Sequence, residues 1–273
     1  LKQFNVNDDL TFRPEVFPGD INQVQNVGLT LTYSFYIIFM KIALLGYGRM
    51  GQVIERIALE RGHEIVLKKS RNATFDGLEK ADVAIDFSIP EAAVFNISAC
   101  LEQKIPVVSG TTGWLENYPK MVQLCEEKQG AFIYGSNFSL GVNIFFELNT
   151  YLSKIMSQFT QYSTSIEEIH HVQKLDAPSG TAITLAESII NNSDYLSWAL
   201  NKAKKNDELV IKAERSPNVP GTHIITYKSL VDTIEIKHEA HNREGFALGA
   251  IIAAEWILGK KGIFSMRDVL NLK

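Results

Sequence analysis

A chain of 273 residues, 45% hydrophobic and 21% charged, has ordinary globular composition and enough apolar material for one large or two modest domains. A formal net charge of -4, with Lys and Arg dispersed, lacks the basic face that a phosphate-rich partner requires, so no nucleic acid is expected as a partner. The two cysteines, Cys100 and Cys125, each stand alone in a helical pattern, which argues against a disulfide or a metal site and for a reducing compartment.

The first segment ends in an apolar stretch, Val27 to Phe39, interrupted by Thr and Ser. It is too short to span a bilayer and lacks a cleavage signature of small residues, so no membrane partner is expected. Met40 runs straight into a clean strand pattern. The expectation is that Met40 is the native start and that residues 1–39 are a non-native or disordered extension.

Lys41 to Leu45 is a short apolar run closed by glycine, the pattern of a buried parallel strand. Arg49 to Arg61 carries apolar residues at helical spacing and is stopped by Gly62. Strand patterns follow at 64–67, 82–87, 106–109 and 131–134, with helices from Pro90 to Lys104 and around Met121 to Lys128. Strands alternating with helices imply a doubly wound parallel sheet of the Rossmann type. After Asn137 the alternation stops. A helix is predicted over Asn143 to Phe159, with Ile144, Phe145, Leu148, Leu152, Ile155 and Phe159 along one stripe. A strand (165–170), a helix (181–191), a polar surface stretch, two adjacent strands (223–227 and 233–238) and an apolar helix (247–258) complete the chain. The fold class is therefore α/β: an N-terminal Rossmann-type doubly wound parallel sheet plus a smaller α+β domain with an open mixed sheet.

Gly46-Tyr47-Gly48-Arg49-Met50-Gly51 follows the first strand and opens the first helix. In that setting Gly46 makes the tight turn, Gly48 admits a pyrophosphate to the backbone and Gly51 lets helix and strand pack closely, while the helix N-terminus favours anions. The second strand ends Leu67-Lys68-Lys69-Ser70-Arg71 with no carboxylate to bind the ribose of NAD. Cations there suit the 2′-phosphate of NADP, although a solvated basic turn has the same composition. The cofactor expectation is NADPH or NADH, leaning to NADPH, with Lys69 as a ligand.

The densest chemistry lies in His170-His171-Val172-Gln173-Lys174-Leu175-Asp176-Ala177-Pro178-Ser179-Gly180-Thr181. Paired histidines at a strand end, a lysine three residues on and a turn into a helix combine proton donors with free backbone amides for a carboxylate. Ser179 or Thr181 also serves as an N-cap in this pattern.

This string resembles the signature of the 4-hydroxy-tetrahydrodipicolinate reductase (dihydrodipicolinate reductase) family. Asp86-Phe87-Ser88, Gly110-Thr111-Thr112-Gly113, Ser136 to Asn143, His238 to Arg243 and Met266 to Leu270 agree in order, so the resemblance covers residues 40–273. It implies NAD(P)H-dependent reduction of a small cyclic dicarboxylate in diaminopimelate and lysine biosynthesis, by a cytoplasmic homotetramer. It implies His170 as acid/base or transition-state stabiliser and Lys174 as proton donor. His171, Gly180 and Thr181 are implied to hold the substrate carboxylates, and Gly110, Thr112 and Phe138 to line the nicotinamide. Arg49 and Met50 join the glycines of the phosphate loop. The implied division is a dinucleotide-binding domain of residues 40–138 and 245–273, and a substrate-binding and oligomerisation domain of residues 139–244. The phosphate loop departs from the family's longer GxxGxxG form, and the stretch from 68 to 81 is short. Two other readings are an NAD(P)-binding regulatory protein without catalysis and a related aspartate-pathway dehydrogenase, whose semialdehyde version needs a nucleophilic cysteine.

Overall fold

A computed structural model describes residues 39–70 and 73–272. The expectations for residues 1–38 and for Arg71 lie outside the described residues.

The apolar run Lys41–Leu45 is β1, with all but Lys41 buried. Around it β2 (Glu64–Lys69), β3 (Val83–Asp86), β4 (Val107–Ser109), β5 (Ala131–Tyr134) and β11 (Gly262–Phe264) form a parallel sheet in the order β11-β5-β4-β3-β1-β2. A parallel sheet needs cover on both faces. Helices α2 (Pro90–Glu102) and α3 (Tyr118–Lys128) pack on one face through Ile97, Cys100, Leu101 and Met121. Helices α1 (Arg49–Glu60) and α6 (Glu244–Ile257) cover the other, against Ile42, Leu44, Val83 and Ile85. The small-residue composition of α6 has a steric cause. A Cβ on Gly249 would meet the Phe138 carbonyl oxygen at 1.7 Å, so helix and chain approach at backbone contact. The C-terminal elements β11 and α7 (Met266–Val269) also join this core.

The second sheet runs β10-β9-β6-β8-β7, formed by β6 (Ser163–His170), β7 (Ser197–Leu200), β8 (Glu208–Arg215), β9 (Gly221–Lys228) and β10 (Thr233–Ala240). It is mixed: β6 pairs parallel with β8 and antiparallel with β9. Helices α4 (Leu140–Met156) and α5 (Gly180–Ile190) cover one face, over Ile166, Leu209, Ile211 and Ile225. No helix among the described residues packs on the other face, where Glu167, Ile169, Ile224 and Thr226 are half-buried.

Two expectations are corrected. The polar stretch after α5 is not surface loop but the strands β7 and β8, and β8 sits between β6 and β7. Its Leu209 and Ile211 face the core while the intervening positions face the open side, so apolar residues alternate with polar ones and the strand is weakly marked. On α4 the packed line is Val142, Phe145, Asn149, Ser153 and Met156, whereas Ile144, Leu148 and Ile155 of the expected stripe are exposed, as is Phe159 beyond the helix end. Asn149 earns its buried place by donating to the Leu185 carbonyl at 3.1 Å. Both cysteines are free and buried. No described helix is long and apolar enough to cross a membrane.

Candidate active site

The glycine loop folds as its spacing requires. Gly46 has φ +100°, and a Cβ there would meet the Phe87 carbonyl oxygen at 2.2 Å. Gly51 is buried against the Gly46 carbonyl, with a Cβ distance of 2.4 Å, while a Cβ on Gly48 would meet open space. Helix α1 starts at this opening with no side-chain cap, so its first amides are free to bind an anion. Gly46, Gly48 and Lys69 line a cavity of about 320 Å³. Met50, Gly110 and Thr112 line a second, of about 210 Å³, which shares Phe87 and Ser88 with the first. Thr112 also borders the large cavity beside α5, so the three spaces follow one another along the molecule. These residues fit a dinucleotide: open room at Gly48 and uncapped amides for the phosphates, and a run of cavity beyond. Arg49 is exposed at the start of α1. Phe138 is buried, its ring 5.8 Å from that of Phe87, so it stands behind the wall of this space rather than on it.

The two lysines differ. Lys68 is engaged by Glu55, which also receives the Tyr47 hydroxyl, whereas Lys69 is buried with its ammonium 4.8 Å from the Phe75 ring centroid. Lys69 lines the cavity and Lys68 does not.

Asp86, fully buried at the end of β3, is a residue to which sequence reasoning gave no role. Its carboxylate accepts from Ser88 Oγ (2.7 Å), Asn96 Nδ2 (2.9 Å), Ser109 Oγ (2.8 Å) and Thr111 Oγ1 (2.8 Å). Burial raises its pKa above the usual carboxylate range, and the four hydrogen bonds only partly offset this. The bonds tie together the loops after β3 and β4, which line the middle cavity.

The third cavity, about 810 Å³, is lined by His170, His171, Lys174, Gly180 and Thr181 together with His223 and His238. Strand register assembles it. Inward-facing residues of a strand recur every second position, so Glu168 and His170 of β6 point to the same side. His238 lies opposite His223 on β10 and β9, and His223 lies opposite Glu168. His170 is the register partner of Arg215 on β8. Ser179 caps α5, accepting from the Ala182 N–H at 3.2 Å, and its Oγ lies 3.1 Å from His223 Nε2. Gly180 and Thr181, whose amides belong to the open first turn of the helix, line the cavity. Lys174 Nζ donates to Asp176 Oδ2 at 2.8 Å.

The electrostatics follow from burial. His170 is held below its ordinary pKa, first by burial, against the opposing pull of Glu168. Burial above all, with the coulombic influence of His170, His238 and Lys174 in the same direction, pushes His223 down to about 3, and His238 is lowered by burial. The cavity thus offers neutral imidazoles, an ammonium and helix-terminal amides, a donor set for an anionic ligand. Glu168, His170 and His223 bring ligand-type atoms within 4.8 Å of one another. Arg215 already supplies a cation 3.3 Å from Glu168 Oε1, which opposes a metal ion there. A cysteine nucleophile is excluded: burial raises the pKa of Cys100, and that of Cys125 to about 11.

Sequence reasoning quoted His238 without giving it a role and assigned none to Glu168, His223 or Arg215. Arg215 ends a strand taken for surface, and its alternation with Ala213 and Ile211 is the signal that could have found it.

Residues 40–138 match the family described as "Dihydrodipicolinate reductase, N-terminus", and residues 141–270 the one described as "Dihydrodipicolinate reductase, C-terminus". The chain is similar to a protein of Christiangramia forsetii named 4-hydroxy-tetrahydrodipicolinate reductase, 56% identical over 235 residues, covering 85% of this chain and 98% of that one. A protein of the same name from Methanosarcina barkeri is 33% identical over 256 residues, covering 92% and 93%. In fold, the chain resembles the dipicolinate-bound dihydrodipicolinate reductase from Paenisporosarcina sp. TG-14. The TM-score is 0.66 at 22% identity, covering 86% of this chain and all of that one.

Proposed function

Since the chain belongs to the dihydrodipicolinate reductase family, we propose that its large cavity reduces 4-hydroxy-tetrahydrodipicolinate (dihydrodipicolinate) to tetrahydrodipicolinate. It is an NAD(P)H-dependent oxidoreductase of diaminopimelate and lysine biosynthesis. The observation that carries the substrate assignment is the convergence of Lys174, His171 and the first residues of α5, Gly180 and Thr181, on one cavity, a site for a small dicarboxylate.

In this reading the cofactor phosphates rest on the uncapped start of α1, near Gly46, Gly48, Arg49, Met50 and Gly51, and Lys69 faces the adenosine end. The bound nicotinamide supplies the hydride, beside Gly110 and Thr112, with Phe138 supporting Phe87 from behind. His171, Gly180 and Thr181 hold the substrate carboxylates. Lys174 donates the proton to the ring and opposes the negative charge that hydride addition creates. His170, neutral because it is buried, stabilises or relays as a hydrogen-bond donor. Residues 40–138 and 245–273 form the dinucleotide-binding domain and residues 139–244 the substrate-binding and oligomerisation domain. This division is supported by the joining of α6, β11 and α7 to the first core. The uncovered face of the second sheet fits a subunit interface, and a homotetramer working in the cytoplasm is the assembly proposed.

A coupled assay tests the function. Pyruvate, aspartate semialdehyde and a purified synthase supply the substrate while nicotinamide absorbance is followed with NADPH and NADH separately. Absorbance loss that requires the synthase is the expected result. Folded protein that binds NADPH but turns over with neither cofactor would overturn the reading and favour a regulatory role.

A further inference from the structure

Arg215 ends β8 and faces the same side of the sheet as His170, its register partner. A guanidinium carries five N–H bonds in a rigid planar fork, and here each one has an acceptor. Nε donates to the Lys174 carbonyl (3.3 Å). Nη1 donates to the Glu214 carbonyl (2.8 Å) and to Glu168 Oε1 (3.4 Å), and Nη2 to Glu168 Oε1 (3.3 Å) and the Asp176 carbonyl (2.6 Å).

Two of these acceptors belong to the loop that carries Lys174. That loop, residues 171–179, is otherwise held mainly at its far end, where Pro178 and Ser179 are buried. Its one internal backbone bond runs from the Lys174 N–H to the His171 carbonyl at 3.1 Å, and Val172 and Leu175 are exposed rather than packed. At its far end the Ser179 N–H donates to Glu168 Oε2 at 3.0 Å. Glu168 is fully buried, and a buried carboxylate is tolerated only when paired and hydrogen-bonded. Arg215 meets that requirement and, through the same fork, grips the loop on both sides of Leu175.

We infer that Arg215, with Glu168 as its counter-ion, is a positioning residue that sets where Lys174 stands in the cavity. It touches neither cofactor nor substrate and acts through the loop backbone. Lysine cannot replace it, since an ammonium has three donors and no planar fork to span two carbonyls and a carboxylate. The kinetic part of the inference rests on the reductase reading; the clamp itself does not.

The test uses the full chain with Arg215→Lys, which keeps a cation beside Glu168 and so avoids an orphaned buried charge. Amide hydrogen exchange over residues 171–179 is expected to quicken by about tenfold or more in the variant, with the strands of the first sheet unchanged. In the coupled assay kcat is expected to fall by about tenfold or more, since a misplacement of ~1 Å costs up to ~10²-fold. The NADPH KM is expected to stay within about twofold, a split between kcat and KM that general loss of structure would not produce. Unchanged exchange in the loop overturns the clamp whatever the activity. A loosened loop with full kcat overturns its catalytic consequence. If the wild-type chain turns over no substrate, the reductase reading fails, while the exchange measurement still decides the clamp.

Discussion

The Lys174 ammonium lies 2.8 Å from Asp176 Oδ2, two residues along the same loop at the rim of the large cavity. More than half of the Asp176 side chain is exposed, so the pair adds little stability and serves to hold the ammonium in place. Replacing Lys174 by Ala removes the proposed proton donor, and kcat is expected to fall by ~10²–10⁴-fold, the range for a positioned general acid. Asp176→Asn leaves the donor present and is expected to cost less than about tenfold. The coupled assay, with NADPH binding followed by fluorescence, checks both. A Lys174→Ala enzyme that binds cofactor and retains kcat would remove the lysine from the mechanism.

His223 predicts how stability depends on pH. Its pKa in the fold is about 3, lowered first by burial, whereas an unfolded histidine takes up a proton near ~6.5. The unfolded chain therefore binds a proton that the folded chain excludes. Stability from this group is complete above about pH 6.5 and is lost as the pH falls towards 3, at about 1.4 kcal/mol per pH unit. Urea unfolding of the wild type and His223→Gln between about pH 6 and pH 4 should show a shallower slope in the variant by roughly that amount. Parallel slopes would mean that His223 is protonated in the fold.

Local chemistry was legible in the sequence where neighbouring residues act together. Gly46, Gly48 and Gly51 share one turn, and His170 to Thr181 form one strand end, loop and helix start. Arg215, His223 and His238 were not legible as a group. They lie on three separate strands, and what joins them to Glu168 and His170 is cross-strand register, which no local spacing encodes. Helix α4 carries apolar residues on more than one line, and its packing partners, α5 and the second sheet, select the line that is buried. Sequence periodicity alone could not make that choice.

The two lysines that end β2 give a prediction about cofactor choice. Lys68 is already engaged by Glu55, while Lys69 lines the cavity beside Gly46. Lys69→Ala is expected to raise the NADPH KM by about tenfold and to leave the NADH KM within about twofold, the loss of one charge-assisted phosphate contact. Lys68→Ala is expected to shift both by less than about twofold. Steady-state assays with each cofactor decide this. Equal effects of Lys69→Ala on the two would show that no 2′-phosphate is bound there.

Asp86 links stability to cofactor binding. Its two oxygens accept four hydrogen bonds, from Ser88, Asn96, Ser109 and Thr111, and Thr111 Oγ1 in turn accepts the Ser88 N–H at 2.8 Å. A carboxylate has acceptor sites for all four donors, whereas an asparagine offers one accepting oxygen and turns an NH₂ group towards the rest. Asp86→Asn therefore leaves donors unmatched in a fully buried setting, at a cost of about 1–3 kcal/mol. The loops it ties carry Phe87, Ser88 and Thr112 along the middle cavity, so their slippage should weaken NADPH and NADH alike by about fivefold or more. Denaturation and fluorescence titration measure the two effects on the same protein. A destabilised Asp86→Asn chain with unaltered cofactor affinity would show that the network braces the sheet without shaping the site.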